Sequence, residues 1–413
     1  MPGPASRSSD RVVVVGAGHG ASSLVGMLRQ AGHAGELIVV GEEPEYPYQR
    51  PPLSKRFTDG ELAQWIRPAA FYRDQAVALR LGERVVGIDR AGHTVTLRSG
   101  ERLGYDVLVL ATGSVPRRLT VPGSDLGGIA TLGSLADARE LRKWVAEHRR
   151  LLVVGGGFIG LEAASVATAA GAGTVVLEQQ QRVLARVAGP ELAAVVADRH
   201  ARHGTTIRTG AHVAGFEGIH GQVRRAVLDD GTQVDCDAVL VGIGARPRDE
   251  LGLAAGLRAG PAGRGVLVDG AARTSDPDVF AIGDVTYRPV CGLDGPHRLE
   301  SIPGATEQAK QAAAAILGDP APAPETPWFW SDQFDLKLKI AGVRRDGTTV
   351  AVRGDPAAGR FAVFHLDGDV VTTVETVNSG AEFMAGRTWI AGRTRVDREQ
   401  LTDTSVPLRE ARR

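Results

Sequence analysis

The chain has 413 residues, enough for about two to three domains that each bury their own core. Lys plus Arg and Asp plus Glu both number 48, so no net field recruits nucleic acid or an anionic membrane surface. The two cysteines, Cys236 and Cys291, are too few and too far apart for a disulfide scaffold, a CxxC redox pair or a zinc cluster, which points to a cytoplasmic chain without a metal.

The opening MPGPASRSSD is small and polar and lacks the apolar centre of a signal peptide, so residues 1–9 are expected to form a disordered tail. No apolar run approaches the about 20 residues that span a bilayer. The first ordered stretch is RVVVVGAGHGA, Arg11 to Ala21. Val12 to Val15 breaks into Gly16, Gly18 and Ala21 at the spacing GxGxxA, and a helix-compatible run continues through Met27 and Leu28. The spacing predicts strand, tight turn and helix. The first glycine makes the turn, the second lets a pyrophosphate approach the backbone, and the small third residue lets helix pack on strand. A second apolar run, Leu37 to Val40, ends at Glu42, a carboxylate placed to accept a ribose hydroxyl. A glycine-rich turn without a ligand is the alternative; the strand, the helix and the acid in sequence favour a dinucleotide.

Pro44 to Phe57 is a proline-dense and therefore extended loop that carries Arg50 and Lys55, either fixed for a purpose or solvated as on any surface. Ala78 to Leu110 alternates as a small antiparallel meander returning to a buried strand, which ends at Ala111-Thr112-Gly113. Arg149 to Glu178 then repeats the opening: the Leu151–Val154 strand, GxGxxG at Gly155, Gly157 and Gly160, a helix through Ala170, and a strand ending at Glu178. One such loop binds one dinucleotide. Two imply FAD on the first and a nicotinamide nucleotide on the second. Glu178 suits a ribose diol and repels a 2′-phosphate, and the three glutamines that follow supply no cation for one, which favours NADH over NADPH. Glu162 falls just inside the second loop's helix, where the helix dipole alone would favour an acid. Asp230 to Pro247 is a hairpin feeding a buried strand and GIGARP, with Cys236 on it as a structural residue. VFAIGDV, Val279 to Val285, is a strand ending in Gly283-Asp284, an ordinary helix cap or a ribityl-hydroxyl acceptor. Pro320 to Pro327 is a proline-rich linker to a strand-rich end. There, Trp328 and Trp330 suit core or interdomain packing, and Arg344 and Arg345 are solvated charges or a docking patch. His200 and His203 are the closest approach to a metal-ligand pair and are expected on a helix surface.

The glycine loops, RPPLSK, the ATG, GIGARP, the IGDV strand end and WFWSDQ together resemble the FAD-dependent NADH:ferredoxin reductases of the putidaredoxin reductase-like group, which serve bacterial cytochromes P450 and aromatic-ring dioxygenases. The resemblance covers Arg11 to about Leu408. It implies an α/β fold of two Rossmann-like dinucleotide-binding domains, glutathione reductase-like, plus a C-terminal α/β domain. The implied boundaries are an FAD domain at 10–116 and 247–322, an NAD domain at 117–246 and an interface-type C-terminal domain at 323–413.

The resemblance further implies that Lys55 lies beside the flavin N5 and Arg50 contacts the cofactor. FAD would be held by Gly16, Gly18, His19, Gly20, Ala21 and Glu42, by Val85, Ala111, Thr112, Gly113 and Arg117, and by Gly283, Asp284, Ser301 and Ile302. NADH would be held by Gly155, Gly157, Phe158, Ile159, Gly160, Glu162 and Glu178, with Arg186, Ile243 and Gly244. Glu162 would reach the nicotinamide and pair with Lys55, so that the two catalytic residues flank the hydride path. The implied reaction passes hydride from NADH to FAD and then single electrons to a small [2Fe–2S] ferredoxin, with the protein a monomer or homodimer.

One segment departs from the family. The usual ExWxNAxxQA becomes Glu300-Ser-Ile-Pro-Gly-Ala, with Ile302 for the tryptophan, Gly304 for the asparagine and Pro303 between, while Glu300, Ala305, Gln308 and Ala309 still match. Loss of an aromatic that buries about 200 Å² should reshape the pocket. A stand-alone flavin oxidoreductase or oxygenase acting on a small substrate or oxygen therefore stays open, as does an NADH-sensing flavoprotein.

Overall fold

The computed structural model describes residues 7–147 and 149–413. Residues 1–6 of the expected tail lie outside them. Arg7 to Ser9 are tied down: the Arg7 amide donates to the Ile316 carbonyl at 3.2 Å and the Ser8 carbonyl accepts from Ala34 and Gly35.

The chain divides into two compact units. The first comprises the residues up to Gln49, Ala63–Val115 and Arg246–Pro327. Its five-stranded sheet is wholly parallel, in the order Val279–Ala281, Val107–Leu110, Val12–Val15, Leu37–Gly41, Val77–Leu81. The first four of these strands read as unbroken apolar runs because both faces are covered, whereas the edge strand Val77–Leu81 carries Arg80 and is only half-buried. Val12 and Val14 pack with Leu24 and Leu28 of the His19–Gln30 helix and Ile316 of the Ile302–Leu317 helix. Val13 and Val15 point the other way, into a core shared with Val95 and Leu97 of an antiparallel meander, Val85–Asp89, Thr94–Leu97 and Arg102–Gly104.

The second unit comprises Arg50–Leu62, Pro116–Ala245 and Trp328–Arg413. A second all-parallel sheet runs Thr206–Thr209, Thr174–Glu178, Leu151–Val154, Ala238–Val241, Ile129–Thr131. Cys236 is buried in the core beneath it, and burial pushes its thiol up to about 12. The C-terminal part is an antiparallel sheet ordered Trp328–Gln333, Leu336–Gly342, Val370–Val377, Arg360–Asp367, Thr349–Asp355. The Gly380–Gly392 helix covers it with Phe383, Trp389 and Ile390.

The loop Arg50–Leu62, expected with the first dinucleotide domain, belongs to the second unit. Its hydrogen bonds explain this: Arg50 donates to the Gly133 carbonyl at 2.5 Å and Arg142 donates to the Phe57 carbonyl at 2.5 Å. His200 is likewise not a surface residue. It is fully buried, on the face of the Pro190–Arg202 helix that carries Leu192, Ala193 and Val196, whereas His203 is exposed. Among the described residues no group of three or more His, Cys, Asp or Glu is arranged to hold a metal, and no helix is long and apolar enough to cross a membrane.

Candidate active site

The two glycine loops are built alike. Gly16 has φ +111° and Gly155 φ +113°, a conformation L side chains rarely adopt. A Cβ on Gly16 would collide with the Ala111 carbonyl, and one on Gly155 with the Gly242 carbonyl. Each loop therefore presses on the strand end opposite it, the ATG in one unit and GIG in the other. Gly18 and Gly157 cap the following helices without a side chain, and a Cβ on either meets nothing within 4 Å. Both helix N-termini thus present backbone N–H groups to open space, the cradle a pyrophosphate requires. His19 is the first residue of its helix, Gly20 faces Ile282, and Ala21 is fully buried against the sheet.

Around the first loop, Glu42 ends its strand in ion pairs with Arg84 at 3.2 Å and Arg248 at 3.0 Å. Thr112 donates to the Arg248 carbonyl, and the Gly113 carbonyl accepts from the Arg248 amide. Asp284 accepts from the Ser114 hydroxyl at 2.9 Å, and Gln308 of the Ile302–Leu317 helix accepts from the Gly283 amide at 2.8 Å. Ser301 caps that helix by accepting from the Gly304 amide, and Ile302 is its first residue. The Val85 side chain is in the core and faces no open space.

The altered family segment has a local explanation. A Cβ at Gly304 would lie 3.0 Å from Arg288 Nη2 and 3.0 Å from Ser301 Oγ. Arg288 is buried and paired with Glu307 at 2.9 Å, so its guanidinium takes space beside the position of the family's asparagine.

Around the second loop, Glu178 is held by its own backbone: Oε2 accepts from the Gly156 amide and Oε1 from the Gln180 amide, both at 2.7 Å. Arg186 is exposed and its guanidinium lies over Gly244, bringing together two residues assigned to the nicotinamide nucleotide. Ile243 is partly buried beside them in the core. Arg117 donates from its amide to the Gly244 carbonyl and from its side chain to Ala245, so it braces this strand end. Phe158 packs on Phe329 with ring centroids 4.7 Å apart, while Ile159 is exposed in the first helical turn.

Glu162 lies one turn into that helix and is 2% exposed. The Lys55 ammonium forms an ion pair with its Oε1, the Ser54 hydroxyl donates to Oε2 at 2.5 Å, and the Ser331 hydroxyl donates to Oε1 at 2.5 Å. Lys55 also lies 5.9 Å from the centroid of the Trp330 ring. The pairing of Lys55 with Glu162 agrees with expectation. Ser54 and Ser331 went unread in the sequence, since a lone serine in a loop or strand carries no local signal.

Two cradles of this kind, each on a parallel sheet, define a pyridine-nucleotide flavoprotein oxidoreductase. The chain belongs to the pyridine nucleotide-disulphide oxidoreductase family, whose model matches residues 10–309, followed by a reductase C-terminal domain at residues 328–412. It is 44% identical over 407 residues to a probable ferredoxin reductase, CtmF, of Castellaniella defragrans, covering 97% of this chain and 98% of that protein. The ferredoxin reductase of the CYP199A2 system from Rhodopseudomonas palustris superposes with a TM-score of 0.93 at 37% identity, covering 98% of this chain and 100% of that one. The covalent putidaredoxin reductase–putidaredoxin complex also matches with a TM-score of 0.93 at 37% identity, over 97% of this chain and 98% of that chain. As a member of the family the protein is an oxidoreductase that uses FAD and NAD(P)H.

Proposed function

We propose that this protein oxidises NADH and delivers electrons singly to a small [2Fe–2S] ferredoxin that feeds an oxygenase, in the cytoplasm. FAD supplies the chemistry when bound, accepting a hydride and releasing electrons one at a time. The observation that carries the reading is the pair of matched glycine cradles together with the buried Lys55–Glu162 pair; similarity to ferredoxin reductases over nearly the full length supports it.

The chain's own residues bind and orient. The Gly18 helix terminus takes the FAD pyrophosphate, Glu42 its ribose, and Asp284, braced by Ser114, its ribityl hydroxyls. Arg50 and Lys55 supply cations on the rigid loop. The Gly157 terminus takes the nicotinamide nucleotide's pyrophosphate, Arg186 assists, and Glu178 accepts from its ribose. Glu162 holds the Lys55 ammonium in a dry setting, where its fixed positive charge would favour the anionic form of a bound, reduced flavin without reorganisation. Arg288 and Gly304 adapt the segment where the family's tryptophan and asparagine are missing.

The test is NADH consumption in three parallel reactions: oxygen alone, cytochrome c alone, and cytochrome c with an added [2Fe–2S] ferredoxin. The reading predicts that ferredoxin raises the cytochrome rate manyfold and that oxygen alone gives little. Fast oxygen consumption unaffected by ferredoxin would replace it with a small-molecule or oxygen-reducing function at the Ile302–Gly304 segment.

A further inference from the structure

Behind Glu162 a line of buried polar side chains leads away from Lys55. The Ser331 hydroxyl, on the first strand of the C-terminal sheet, donates to Glu162 Oε1 at 2.5 Å. Gln333, two residues along and therefore on the same face of the strand, donates from Nε2 to the Ser331 oxygen at 3.0 Å. The Gln333 carbonyl oxygen lies 3.0 Å from Nε2 of His200 on the Pro190–Arg202 helix. Ser331, Gln333 and His200 are all fully buried.

Polarity fixes the direction of every bond. Glu162 is the carboxylate partner of Lys55, so it accepts and Ser331 must donate to it. The Ser331 oxygen is then free to accept the Gln333 amide N–H, which turns the Gln333 carbonyl toward His200. His200 must therefore donate from Nε2, in the neutral tautomer that leaves Nδ1 bare, and Nδ1 indeed has no partner among the described residues. Burial keeps this imidazole neutral, lowering it to about 4. A chain of donors aligned toward one carboxylate holds it better than a single bond, because each member is positioned by the next.

We propose that Ser331, Gln333 and His200 are positioning residues for hydride transfer: a directional hydrogen-bond chain from the C-terminal sheet and its neighbouring helix fixes the Glu162 carboxylate and, through it, the Lys55 ammonium. The inference rests on the catalytic reading of the Lys55–Glu162 pair. It makes the C-terminal domain a contributor to the first half-reaction, the reduction of the cofactor by NADH.

The experiment uses the FAD-loaded full chain and two readouts. The first is anaerobic reduction by NADH in a stopped flow. Ser331→Ala is expected to lower the limiting rate about tenfold with the NADH dissociation constant within about twofold, the size and pattern of one lost bond to a charged group. Ser331→Thr, which keeps the hydroxyl, restores the rate. His200→Leu slows the same step, His200→Gln restores it, and the double variant Ser331→Ala/His200→Leu is no slower than Ser331→Ala alone, as one shared chain requires. The second readout is the rate at which an amine-acylating reagent modifies Lys55, followed by peptide mass spectrometry without nucleotide. Ser331→Ala raises it several-fold and Ser331→Thr does not.

The proposal is overturned if Ser331→Ala reduces at the wild-type rate with unchanged Lys55 labelling, if threonine fails to rescue, or if the double variant shows the product of the two single effects. Should Ser331→Ala lose its FAD, the His200→Leu and His200→Gln pair carries the test from the far end of the chain. Failure of the wild-type protein itself to accept hydride from NADH would instead refute the proposed function, while the labelling experiment would still read the chain.

Discussion

Glu178→Ala tests the nucleotide preference most directly. In the structure both carboxylate oxygens accept backbone N–H bonds at 2.7 Å, one from Gly156 inside the glycine loop and one from Gln180. The carboxylate is thus fixed at the strand end with lone pairs left for a ribose diol. Two losses follow from its removal. The loop loses two charge-assisted bonds, which weakens either nucleotide alike. NADH additionally loses a hydroxyl-to-carboxylate bond of about 1.5–3 kcal/mol, whereas NADPH loses a like-charge repulsion. At 1.4 kcal/mol per factor of ten, the NADH-to-NADPH ratio of kcat/KM should fall by about tenfold to a hundredfold. The ratio cancels the common loop effect, so steady-state FAD-dependent reduction of ferricyanide with each nucleotide suffices as an assay. A ratio unchanged within twofold, even with both activities lowered, would refute the ribose role and leave Glu178 as a loop brace.

Three other outcomes are expected. Because burial lowers His200 to about 4 from 6.5, unfolding takes up a proton between those values; stability is complete above 6.5 and falls by about 3 kcal/mol as pH drops toward 4. Chemical denaturation across that range should show this component in the wild type and its loss in His200→Gln. Gly16→Ala places a methyl group against the Ala111 carbonyl at φ +111° and should yield protein without bound flavin, checked by its visible absorbance after purification. Gly304→Asn restores the family residue but meets Arg288 Nη2 and Ser301 Oγ at 3.0 Å, so the melting temperature should fall by the equivalent of about 1–3 kcal/mol despite asparagine's better helix propensity; an unchanged value would mean that the Arg288–Glu307 pair yields without cost.

Both dinucleotide cradles were legible in the amino-acid order because their physics is local. A strand, a glycine that tolerates positive φ, a bare helix cap and a small packing residue occupy fixed offsets, and the same spacing at Gly16 and at Gly155 produced the same backbone. The acids Glu42 and Glu178 were equally readable, each falling at the end of the following strand. The pairing of Lys55 with Glu162 came from family resemblance, since nothing in the spacing of a loop and a helix more than a hundred residues apart brings them together.

Tertiary structure alone decided the rest. His200 looked like half of an exposed pair because one helix face cannot be told from another until its partner is known; packing turned it inward onto Gln333. Ser331 and Gln333 are two polar residues in a short strand, and only the sheet's register and the helix behind it make Ser331 a donor to the buried Glu162 carboxylate and Gln333 a donor to Ser331. Glycine at 304 read as a loss, yet a buried arginine from Arg288 stands beside that space. Amino-acid order therefore determined where the two glycine cradles form, because backbone geometry is set by neighbours in the chain. The polar groups that brace the Lys55–Glu162 pair were decided by folding, because hydrogen bonds between distant polar residues exist only once burial has excluded the water that would otherwise satisfy them.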